Sequence, residues 1–140
     1  MRLLLTALLL AAGSTDAADS GPAEVKSDRD TCHGCGMVIS DRHFAAQVRL
    51  AGGIQTVKFD DIGCAVKFLD KQPAGQDPAT AVWVMPLGDG PWLDARKAAF
   101  VTGKTSPMGF GFGALAGADG GLDFAAMKTR VLAAKPAHHH

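Results

Sequence analysis

The chain reads as an α+β protein in which two small ββα-type halves form one compact domain after an N-terminal signal and tether. Three observations predict this: two alternating segments around a glycine pair, a capped apolar stripe of helical spacing directly after them, and a second strand, strand, helix order in the remainder. At 140 residues, one domain with a real core is the default.

The elements follow in order. Phe44 to Leu50 and Ile54 to Phe59 alternate around Ala51-Gly52-Gly53, the pattern of a β-hairpin. Asp60 or Asp61 can cap the helix that comes next, with Ile62, Ala65, Val66 and Leu69 on one apolar face through Asp70. A Pro/Gly/Asp-containing link from Gln72 to Thr80 leads to a strand at Ala81 to Met85, a loop at Pro86 to Pro91, and a further strand at Ala98 to Val101. Gly109 to Ala116 alternates glycine with larger residues and reads as a strand open to close backbone approach. Leu122 to Ala134 then carries helical spacing through Leu122, Ala125, Ala126 and Val131.

The ends read differently from the middle. Residues 1–20 combine Arg2 with an apolar run, Leu3 to Ala12, that is too short to span a bilayer and fits an export or lipoprotein-type signal running into a tether. Residues 21–31 read as a flexible tether, 32–135 as the metal-binding domain, and 136–140 as a tail whose His138, His139 and His140 look like a purification-tag remnant. Fourteen basic and fourteen acidic side chains cancel, which gives no electrostatic reason to expect a nucleic acid or an anionic membrane as partner.

Chemistry concentrates in Cys32-His33-Gly34-Cys35-Gly36-Met37. Two thiols, an imidazole and a thioether stand beside glycines that let the backbone turn. Thiolate and thioether together select soft ions such as Cu(I), whereas a thioether is a poor zinc ligand. Competing readings are an exported CxxC thiol oxidoreductase, a structural zinc domain using Cys32, Cys35 and Cys64 with His33 or His43, and a Cys32 to Cys35 disulfide. Against the redox motif, Gly36 and the β-branched Val38 and Ile39 follow where a helix would start.

Cys64 lies four residues after Asp60 on the same helix face, and reads either as a ligand or as a small packing residue. Asp60 and Asp61 read first as caps, with a supporting role behind a metal ligand as the alternative. Met85 and Met127 read as core, while Met108, between Pro107 and Gly109, reads as a loop-borne ligand. No HExxH, GxSxG, Walker-type or Rossmann motif is present, and nothing orients a Cys64/His43 pair, so the expectation is a carrier and not an enzyme.

Cys32 to Ile39, Phe44-Ala45-Ala46-Gln47, Phe59-Asp60-Asp61-Ile62-Gly63-Cys64 and Pro107-Met108-Gly109 together resemble the NosL family of periplasmic accessory lipoproteins. The resemblance implies two ββα-type halves and a chaperone that binds Cu(I) through Cys and Met for the tetranuclear copper-sulfide centre of nitrous oxide reductase. It implies Cys35, Met37 and Met108 as the first ligands, with Cys32 and the Asp60/Asp61 pair in second place. The partners it implies are a copper-accepting periplasmic subunit of an ABC-type assembly complex and, directly or through it, the reductase; dimerisation around copper stays open. Family members carry a lipidated Cys where this chain has Ser14, so the expected location is the periplasm, without the family's outer-membrane anchor if Ser14 is native.

Overall fold

The computed structural model describes residues 21–117 and 120–134. The signal read at 1–20 and the tail at 136–140 lie outside the described residues.

Strand β1 (Ala46–Arg49) pairs antiparallel with β2 (Val57–Phe59), Ala46 opposite Phe59 and Val48 opposite Val57. Helix α1 (Ile62–Asp70) starts at once, capped by Asp61, whose side chain accepts from the Gly63 N–H. Its buried face is the expected stripe of Ile62, Ala65, Val66 and Leu69, and it packs on β1 and β2. The chain then returns to the same sheet: β3 (Ala81–Val84) pairs with the free edge of β1, and the two-residue β4 (Leu93–Asp94) pairs with β3. The sheet order is therefore β2-β1-β3-β4, with β1 central.

A second, two-stranded sheet joins β5 (Ala99–Val101) to β6 (Gly113–Leu115), and α2 (Phe124–Ala133), capped by Asp123, packs against β5 and α1. The two ββα units are thus β1-β2-α1 and β5-β6-α2, with β3 and β4 extending the first sheet. One core, including Val48, Phe59, Val66, Val84, Phe100, Met127 and Val131, joins both. The strand expected from Gly109 begins only at Gly113, because Gly109 and Gly111 adopt left-handed φ of 76° and 80° that interrupt an extended run.

The segment 21–31, expected as a tether, is fastened to the sheet. Gln47, fully buried on β1, exchanges two amide hydrogen bonds with the Ala23 backbone (2.9 and 2.8 Å). Val25 packs on the core, Arg49 donates to the Gly21 carbonyl, and Lys58 pairs with Asp30 at 2.7 Å. A buried carboxamide needs partners, and this stretch of backbone supplies them. The segment is held by the side chains of Gln47, Arg49 and Lys58 from β1 and β2.

Candidate metal centre

The Cys32 to Met37 segment folds into a tight loop. Thr31 bridges to Val38, the Cys32 N–H donates to the Met37 carbonyl (2.7 Å), and the Gly36 N–H donates to the Cys32 carbonyl (2.8 Å). Gly36 takes the left-handed φ of 77° that closes the turn. The loop is pinned beside β2 by the His33 N–H, which donates to the Lys58 carbonyl. Gly34 then lies so close to α1 that a Cβ there would stand 3.1 Å from the Cys64 Cβ. Loop and helix start are in direct contact because this residue has no side chain.

That contact gathers four donors. The ligand atoms of Cys32, Cys35, Asp60 and Cys64 all lie within 4.8 Å of one another, a spread one ion can bridge. All three cysteines are free; Cys32, Cys64 and Asp60 are buried, and Cys35 is half-buried. Cys35 donates its S–H to Asp60 Oδ2 at 3.4 Å, whereas Asp60 Oδ1 is buried with no partner among the described residues. An unsatisfied buried acceptor costs about 1–3 kcal/mol, so this oxygen is held in place by the fold at a cost.

The electrostatics follow from that crowding. A hydrogen bond from the Cys64 thiol, helped by the backbone N–H groups of Asp60 and Cys35, draws Cys32 down to about 4. Donating to Cys32 and burial push Cys64 far above the ordinary thiol range. Burial foremost pushes Cys35 up to about 11. Burial, then the neighbouring Cys32, raises Asp60 to about 6. Without a cation the four acids cannot all ionise together; one positive ion at their centre removes the repulsion and replaces the protons.

The Asp60-Asp61 pair divides its work. Asp60 faces the thiols, while Asp61 caps α1 through Oδ1 (3.1 Å to the Gly63 N–H) and accepts the Met108 N–H on Oδ2 (3.1 Å). The loop from Ser106 to Phe112 is thereby tied across the start of α1. Phe110 sits against Gly63, where any Cβ would meet its ring at 2.2 Å. Met108 is partly buried against the core, and Met37, adjacent to Gly36 in the loop, is 59% exposed.

The profile of the NosL family matches residues 22–129. The chain belongs to the NosL family. The fold is similar to that of the crystal structure of the copper chaperone NosL from Shewanella denitrificans, with a TM-score of 0.55 and 22% identity over 78% of this chain and 87% of that one. Comparison with curated proteins gives no match. The NosL match includes the segment from residue 22 that Gln47 holds, in agreement with its place in the fold.

Of the four ligands expected from the sequence, this NosL domain brings Cys32 and Cys35 together and adds Cys64 and Asp60, which sequence reasoning left undecided. Their signal was the i, i+4 spacing into the first turn of α1. His33 stands edge-on to Phe59 and Phe68 (centroids 6.1 and 5.3 Å), and His43 leans on Asp41 at 3.2 Å in an exposed turn. Among the described residues neither joins the gathered donors. No helix of the described residues is long and apolar enough to cross a membrane.

Proposed function

We propose that this NosL-family protein is a Cu(I) metallochaperone of the periplasm that supplies copper for the tetranuclear copper-sulfide centre of nitrous oxide reductase. The observation that carries the reading is the gathering of three free thiols and the Asp60 carboxylate, one of whose oxygens has no partner among the described residues, within 4.8 Å. Soft sulfur donors favour a monovalent, polarisable ion. Family membership and the copper chaperone of similar fold support it.

Cys32 and Cys35 hold the ion, with Met37 and Met108 as the thioether ligands from two parts of the chain and Cys64 and Asp60 closing the buried side. Exposure of Met37 gives a partner's sulfur a point of attack, so copper leaves by ligand exchange without unfolding. The recipient is a copper-accepting periplasmic subunit of an ABC-type assembly complex, and through it the reductase. No residue here is assigned a catalytic role.

A competition titration of reduced, anaerobic protein against a chromophoric Cu(I) chelator tests this. One copper per chain is expected, with at least tenfold weaker binding in Cys35→Ser and a smaller loss in Met108→Leu. Copper held as tightly by both variants as by wild type contradicts the assignment. A dithiol oxidoreductase reading requires disulfide turnover on a thiol substrate, and the helix-terminal thiol here is Cys64 and not a member of the CxxC pair.

A further inference from the structure

Behind the thiol cluster lies a groove of about 270 Å³ lined by His33, Gly34, Cys64, Lys67, Phe68 and Lys71. Cys64 belongs both to this lining and to the gathered donors, so the groove reaches the metal centre from the side of α1. Phe68 and the His33 imidazole form an aromatic wall, their centroids 5.3 Å apart. Lys67 and Lys71 are one helical turn apart and no acidic side chain is in the lining. The Lys67 ammonium rests 5.1 Å from the Phe110 ring centre, beside the Met108 loop, and among the described residues no carboxylate forms an ion pair with it.

We infer that this groove is a loading site for copper that arrives as the thiolate complex of a small, carboxylate-bearing thiol. The inference rests on the Cu(I) reading above. The volume lies just below the range of ligand pockets, roughly 300–1,000 Å³, and suits a molecule of tripeptide size or smaller better than a protein segment. Two cationic side chains without an acidic neighbour in the lining complement an anionic complex, and Cys64 supplies the receiving sulfur. In the transfer, a Cu–S bond to Cys64 forms as a Cu–S bond to the carrier breaks. The proton displaced from Cys64 leaves on the carrier's sulfur, and copper stays Cu(I) throughout, so no oxidant or reductant is needed.

Stopped-flow uptake from the Cu(I) complex of glutathione, compared with the Cu(I) complex of cysteamine, tests the inference in wild type, Lys71→Glu and Lys67→Gln/Lys71→Gln. Uptake from the glutathione complex should slow about tenfold in the variants at low salt, while uptake from the cysteamine complex, which bears ammonium groups and no carboxylate, should not slow and the equilibrium Cu(I) affinity stays unchanged. Equal rates from both complexes in every protein overturn it. A metal-free arm keeps it separable from the Cu(I) reading: S-methylglutathione should shift the amide resonances of His33, Gly34 and Phe68 in wild type and not in Lys71→Glu. Shifts with no copper uptake would sink the Cu(I) reading and leave the groove as an anionic-thiol site; no shifts would sink the groove alone.

Discussion

Gly34 and Asp60 decide whether four donors can meet. Gly34 lets the Cys32 to Met37 loop rest on the start of α1, and a branched side chain there must push the loop off Cys64. Gly34→Val should therefore weaken Cu(I) binding at least tenfold while leaving far-ultraviolet circular dichroism intact, since Gly34 lies outside every strand and helix; unchanged affinity would show that Cys64 and the loop need not touch. Asp60 carries the opposite tension, a buried carboxyl whose folded pKa is raised by burial from 3.8 to about 6. A raised folded pKa contributes stability that is present below 3.8 and lost as pH rises through 6. In the metal-free protein, Asp60→Asn should gain stability relative to wild type between pH 4 and 7, read by urea unfolding, and a difference flat across that range would contradict the account. On the proposed Cu(I) reading the same variant should bind the ion more weakly, because it replaces a carboxylate whose Oδ1 has no partner among the described residues.

At the scale of elements, the first turn of α1 is the hub. Its cap, Asp61, also holds the Met108 loop, so one carboxylate joins the two ββα halves. Asp61→Ala removes a cap, worth about 0.5–2 kcal/mol, and strands the Met108 N–H, so a loss of at least about 2 kcal/mol in chemical unfolding is expected. Asp61→Asn can keep the cap oxygen but turns an amide donor toward the Met108 N–H, so it should lose less stability than Asp61→Ala. Equal stability losses in both variants would place the whole effect in the Met108 contact and none in the cap. These elements were legible to different degrees. Hairpin, α1 and its apolar stripe follow from local periodicity and a cap, and Cys32 with Cys35 from spacing. The docking of residues 21–31 was hidden because its partner, Gln47, is a polar residue on a strand with no sequence mark of burial. Cys64 was ambiguous because a small thiol in a first turn serves packing and ligation equally well. The pairing of β3 with β1 depends on an open sheet edge, which no local pattern records.

For the molecule as a whole, Phe59, Phe100, Val66, Val131 and Met127 are buried around both sheets, far more apolar surface than the thiol cluster supplies, and Cys32 and Cys64 belong to the same core. A carrier built this way stays folded when empty and gains stability when loaded, in contrast to a domain whose fold is the metal site. Cys64, one of its donors, also lines a groove that carries Lys67 and Lys71, and Met37 of the neighbouring loop is exposed. The most direct test is X-ray absorption at the copper edge on anaerobically reduced protein loaded with one equivalent of Cu(I). A monovalent edge with a sulfur-dominated shell, lost when Cys32 and Cys35 are both replaced by serine in a protein that remains folded, is the predicted result. A shell of nitrogen and oxygen donors, or a sulfur shell that survives the double replacement, would contradict it.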